Sequence, residues 1–277
     1  MAAAAAMLSS CGGERRSAGD GTMYVTIAPL TEMVGAITGG DFRVEVLVPA
    51  GASPETFEPT PRQVIALNSA QAVFSVGLLD FERALTSRID TPSKVVDLSR
   101  GIEPRAGSCA HEHHGHRHAH GIDPHVWTSP RQLLKMAANA YEAISVLYPD
   151  SVKYRTNYFR YRDKLRHLDA WCAKACAASE RRCFVVFHPA LTYYARDYGI
   201  EQISVEHEGK EPSARQLGEV IERARQSGVQ RVFYQSQFPR STVEIVASDI
   251  GAECAEIDPL AADVTDNIIR ITRLITE

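Results

Sequence analysis

Short β-branched runs alternate with amphipathic stretches along most of this 277-residue chain. From Met23, "MYVTIA" predicts a strand, and "PLTEMVGAITG" predicts a helix closed by Gly39 and Gly40. "FRVEVLVP" predicts a second strand that runs into the loop "AGASPETFEPTP". Pro61 then suits the first turn of a helix, because its missing N–H would be unbonded there anyway. "AVFSV" and "KVVDLS" predict two more strands, with a helical stretch near 79–89 between them. The alternation returns after residue 181. "CFVVF", "IEQISV", "VQRVFYQ" and "AECAEI" predict strands. Between and after them, "ALTYYARDY", "PSARQLGEVIERARQSG", 239–250 and 263–276 predict helices. This order predicts parallel sheets covered by helices on both faces, in two Rossmann-like α/β lobes.

Between the lobes lies a stretch with helical periodicity only. "SPRQLLKMAANAYEAISVLYP" predicts one helix, ended near Pro149. The next begins at Asp150 and Ser151 and carries apolar positions at Tyr154, Tyr158, Tyr161, Leu165, Leu168, Cys172 and Ala175. Steps of three and four residues make one continuous stripe. A helix of roughly 28 residues would be about 42 Å long, enough to run the height of a lobe pair. A coiled-coil dimer seam is the alternative, but the stripe is rich in Tyr where such a seam favours Leu and Ile. The expected organisation is a leader and tether over 1–22, an N-terminal lobe over 23–150, a linking helix over 151–180 and a C-terminal lobe over 181–277.

Composition narrows the class. Hydrophobic residues make up 44% and charged residues 23%, as in soluble globular proteins. A net charge of −4 gives no electrostatic reason to expect nucleic acid binding. No apolar run approaches the roughly 18 residues of a membrane span. At the N-terminus, Leu8-Ser9-Ser10-Cys11 resembles a bacterial lipoprotein signal. That resemblance implies lipidation at Cys11, a polar tether after it and attachment to the cell envelope only through the lipid. Five other cysteines remain, an odd number, so at least one thiol stays free or pairs between chains. Cys172 and Cys176 read as small buried hydrophobes on a helix. No CxxC pair offers a structural zinc ribbon.

Ligands of open α/β sheets bind beyond the carboxyl ends of the strands. Metal-capable side chains fall there in both halves. Glu55 and Glu58 follow "FRVEVLVP", His125 lies beyond "KVVDLS", His188 follows "CFVVF" and Asp258 follows "AECAEI". A lone histidine after a strand is more often a structural residue, but joint placement in both lobes points to a cleft site. Two imidazoles and two carboxylates suit tetrahedral zinc. His207 and His167 read as solvated or structural, and Gln235 and Gln237 as donors that orient ligands. His111, His113, His114, His116, His118 and His120 form a run before His125, "AHEHHGHRHAHGIDPHVW", with no periodicity to fix them. They read as an accessory segment binding zinc weakly near the cleft mouth, with Cys109 as an added thiolate.

Five ordered motifs carry a family resemblance from Met23 onward: "VPAGASPETFEPTP", "DPHVWTSP", "FHPALTYYARDYGI", "GKEPSARQL" and "EIDPLA". The chain resembles the cluster A-I solute-binding proteins, the zinc and manganese receptors of bacterial ABC importers. The resemblance implies two α/β lobes joined by one long backbone helix, with the metal in the interlobe cleft. It implies His125, His188 and Asp258 as the second, third and fourth ligands. The first position departs from the family, which usually has His there; here it is Glu55, with Glu58 as the alternative. His188 and the His-rich run favour zinc, while Glu55 pulls toward manganese. The implied function is extracytoplasmic capture of Zn(II) for a membrane permease by a monomeric, non-enzymatic receptor. A manganese or iron receptor and a zinc-dependent hydrolase using the same ligands are the alternatives.

Overall fold

A computed structural model describes residues 21–107, 121–206, 210–238 and 240–277. The first lobe runs β1 (Thr22–Val25), α1 (Leu30–Thr38), β2 (Arg43–Val46), α2 (Pro61–Asn68), β3 (Ala72–Ser75), α3 (Asp80–Thr86) and β4 (Val95–Asp97). Its sheet is parallel throughout, in the order β2-β1-β3-β4. Two helices follow, α4 (Pro130–Leu147) and α5 (Val152–Ala178). The second lobe runs β5 (Cys183–Val186), α6 (Thr192–Tyr198), β6 (Glu201–Ser204), α7 (Ala214–Gln226), β7 (Arg231–Tyr234), α8 (Arg240–Ile250), β8 (Glu253–Glu256) and α9 (Val264–Thr276). Its sheet repeats the plan, parallel in the order β6-β5-β7-β8. Two α/β lobes joined by one long helix, as the sequence predicts, are therefore what the chain forms.

Local chemistry explains the element ends. All four positions of β3 are buried, as befits a strand covered on both faces. Gly39 ends α1 in the left-handed conformation at φ 66°, where a side chain would be strained, and returns its N–H to the Gly35 carbonyl. Thr60 and Gln63 cap α2 reciprocally, with Pro61 in the first turn. Ser213 and Gln216 do the same for α7.

The 27 residues of α5 give a rod of about 40 Å at 1.5 Å per residue. Its buried positions are Tyr154, Tyr161, Leu165, Leu168, Cys172 and Cys176. The last differs from the expected Ala175. A strict three-and-four alternation has a period of 3.5, and a straight helix drifts about 20° per heptad away from it. By the final turn the inward position has moved on by one residue. Tyr158 is only half-buried and stacks on Tyr141 of α4, ring centroids 4.4 Å apart. The stripe is thus occupied within the chain, by α1, α4 and α9.

One hydrophobic cluster includes Val25 and Leu30 of the first lobe, Leu165 and Leu168 of α5, and Phe184 and Ile268 of the second. A second cluster, with Val185, Ile203, Val232 and Val246, fills the other side of the second sheet. The lobes also share polar contacts. Glu32 of α1 accepts hydrogen bonds from the Thr265 amide (3.0 Å) and hydroxyl (2.8 Å) at the start of α9, and from Lys164 of α5 (2.9 Å). This packing sets the carboxyl ends of the two sheets around one small cavity.

Candidate metal centre

Glu55 lies in the loop after β2, its amide bonded to the Ser53 hydroxyl at 3.3 Å. His125 leads into a single 3-10 turn, Val126–Thr128, before α4. His188 stands just past the end of β5. One ligand atom from each lies within 4.8 Å of the others. His188 Nε2 is 3.4 Å from His125 Nε2 and 3.2 Å from Glu55 Oε1, and His125 Nε2 is 3.8 Å from the same oxygen. Tetrahedral zinc with bonds of about 2.0–2.1 Å places neighbouring donors about 3.3 Å apart. The triangle is close to that edge length.

Each imidazole is held from behind. His125 Nδ1 and the His125 amide both donate to Asp123 Oδ1, each at 2.8 Å. His188 Nδ1 donates to Glu206 Oε2 at 2.9 Å. A proton fixed on Nδ1 leaves Nε2 as the ligand atom, facing the cavity. Burial opposes charging of His188, but hydrogen bonds to Glu206 and Glu55, and the charge of both, push it up to about 9. Burial also works against ionisation of Glu55, yet His188 and His125 hold its carboxyl below the usual carboxylate range. Asp123 is likewise held low, against its burial, by the charge and hydrogen bond of His125. Without metal, a proton on His188 Nε2 lies between the imidazole and Glu55 where a cation would bind.

Gln235 locks the backbone of His188 from both sides: its Nε2 donates to the His188 carbonyl at 2.8 Å, and its Oε1 accepts from the His188 amide at 3.4 Å. Phe238 stacks on the His188 ring, centroids 4.8 Å apart, and Trp127 packs against His125 at 5.1 Å. Gln237 lines the cavity, whose volume is ≈ 30 Å³. That is room for an ion with a water.

Asp258 is not among the grouped ligand atoms of the described residues. Its Oδ1 accepts the Leu260 amide at 2.9 Å, while the next residues, Pro259 and Leu260, line the cavity. Glu58 is exposed and also outside the group. His167 is exposed on α5. Cys172 and Cys176 are buried free thiols, the first bonded to Thr272 at 3.4 Å and the second to Tyr194 at 3.3 Å. Cys11, Cys109, His207 and the run His111, His113, His114, His116, His118 and His120 lie outside the described residues. Sequence reasoning missed Asp123, Glu206, Trp127 and Phe238. Only Asp123 had a local signal: a carboxylate two residues before a histidine, in position for a side-chain-to-backbone turn.

Two parallel α/β lobes on one long helix, with a small cavity between their strand ends that holds two imidazoles and a carboxylate, define a two-lobed binding protein. Comparison with known proteins narrows this class. The family model described as zinc-uptake complex component A, periplasmic (ZnuA) matches residues 23–273, and the chain belongs to that family. The zinc-binding protein AdcA of Streptococcus pyogenes is 27% identical over 257 residues, covering 86% of this chain and 50% of its own. The chain thus spans about half the length of such streptococcal relatives. The high-affinity zinc uptake system protein ZnuA of Bacillus subtilis is 28% identical, with 94% of this chain and 86% of the relative covered. A crystal structure of ZnuA superposes with a TM-score of 0.83 at 32% identity, covering 92% of this chain and 97% of the other. A manganese-bound periplasmic metal-binding protein from Candidatus Liberibacter asiaticus shares the fold, with a TM-score of 0.78 at 18% identity over 92% of this chain and 99% of the other.

Proposed function

We propose that this protein is an extracytoplasmic receptor that captures Zn(II) and delivers it to an ABC importer. The observation that carries the reading is the donor triangle of Glu55, His125 and His188, spaced for one small cation and backed by carboxylates that aim both Nε2 atoms inward. Membership of a zinc-uptake family and relatives named for zinc binding support the choice of metal. Asp258 completes the set by turning its carboxylate from the Leu260 amide toward the cavity. The role requires no catalysis. The partner is the importer's membrane permease, met by a monomer. Cys11 is the point of lipid attachment, consistent with a relative in Streptococcus pneumoniae named as a zinc-binding lipoprotein.

Glu55 favours one second reading, a manganese receptor, since it replaces an imidazole with a hard oxygen donor. Competition decides between them. Purified protein is offered equal zinc and manganese, and the bound metal is counted after gel filtration. The zinc reading expects zinc in the tight site at near one equivalent; manganese retained in its place reverses the assignment.

A further inference from the structure

Trp127 joins the two halves of the site. Its ring packs against His125, centroids 5.1 Å apart, and its indole N–H crosses to the other lobe to donate to the Pro259 carbonyl at 2.8 Å. The side chain is 1% exposed. The preceding carbonyl, that of Asp258, accepts from Asn267 Nδ2 of α9 at 2.7 Å. Two consecutive carbonyls of this turn are therefore held, one from each lobe. The Asp258 side chain is not pinned in the same way. Among the described residues its carboxylate accepts one hydrogen bond, from the Leu260 amide, and this closes a local turn that rotation about the side-chain bonds would open.

We infer that Trp127 is a positioning residue for the Asp258 carboxylate: its indole fixes the 258–260 turn at the cavity wall, so that a side-chain rotation alone brings an oxygen to a metal held by His125 and His188. The inference rests on the reading of Asp258 as the fourth ligand. It gives the Trp two residues after His125 a task that packing alone would not require, because Phe would fill most of the same space without the N–H. It also makes the second and fourth ligand segments one unit, although 133 positions separate them in sequence.

A double-mutant cycle tests this directly. Zinc affinity of the full chain is measured by competition with a chromophoric chelator, below one equivalent of zinc, for wild type, Trp127→Phe, Asp258→Asn and the pair. The expectation is that W127F binds about tenfold more weakly, in line with losses of 10–100-fold on removing groups that orient metal ligands. D258N is weaker as well, and the double variant no weaker than D258N alone. A merely structural role for Trp127 would add its loss in full to that of D258N, and this result overturns the inference, as does wild-type affinity in W127F. Wild-type affinity in D258N refutes the ligand reading itself, a separate failure. Should W127F not fold, Asn267→Ala frees the neighbouring carbonyl and the same cycle is run with it.

Discussion

Asp123 and Glu206 do for His125 and His188 what no isolated imidazole does for itself: they fix the tautomer. Both carboxylates are buried, so their hydrogen bonds compete little with water. Asp123→Asn and Glu206→Gln keep shape but weaken the acceptor, and each is expected to lower zinc affinity by about 10–100-fold, measured by chelator competition. The charge on metal-free His188 sets a pH dependence. Its imidazole has a pKa raised to about 9, so near neutral pH zinc must displace a proton from it. Zinc affinity therefore rises by about tenfold per pH unit as pH increases toward 9, then flattens. The same shift acts on metal-free stability with the opposite sign. The contribution of His188 is fully present below its unfolded pKa near 6.5 and is lost as pH rises through about 9. A proton-release measurement in two buffers of different ionisation enthalpy checks the first effect, and a melting curve against pH the second. At this scale the sequence shows residue types but not aim. His188 and Asp258 follow strands in the same way, yet in this structure one faces the cavity and the other caps its own turn. Glu206 lies 18 positions from the histidine it orients, on a neighbouring strand's extension, and no local spacing reveals that pairing.

The elements were the most legible part of the chain. β3 and β5 are short runs rich in apolar residues, Ala72–Ser75 and Cys183–Val186, and several helices begin or end on a residue with a local reason to be there. Thr60 with Pro61, and Ser213, show such reasons at helix starts; Gly39 shows one at a helix end. The stripe of α5 is readable from its apolar steps of three and four, although the buried face drifts to Cys176 by the last turn. Its partner was not, since the periodicity of a buried face does not say whether the chain or a second copy covers it. Leu165, fully buried at the middle of that stripe, is expected to cost about 2–5 kcal/mol of stability when cut to Ala, measured by urea unfolding of metal-free protein. The His-rich run before His125 is proposed to bind zinc weakly and apart from the tight site. Deleting residues 110–121 is expected to remove weak zinc equivalents and keep one tight site, counted by equilibrium dialysis. Loss of the tight site would show that the segment belongs to the centre itself.

Across the whole molecule, a shared core and the Glu32–Thr265 contact tie the lobes together. Zinc bound between them stabilises the assembled form by mass action, about 2.7 kcal/mol at a free concentration 100 times Kd. A melting temperature that rises with zinc and falls back with a chelator reports this. The central claim is that the two imidazoles, one from each lobe, hold the metal. Calorimetric titration of zinc into wild type, His125→Ala and His188→Ala, each lacking residues 110–121, tests it most directly. The account predicts one tight equivalent in wild type and its loss in both variants. Unchanged tight binding in either variant would contradict it.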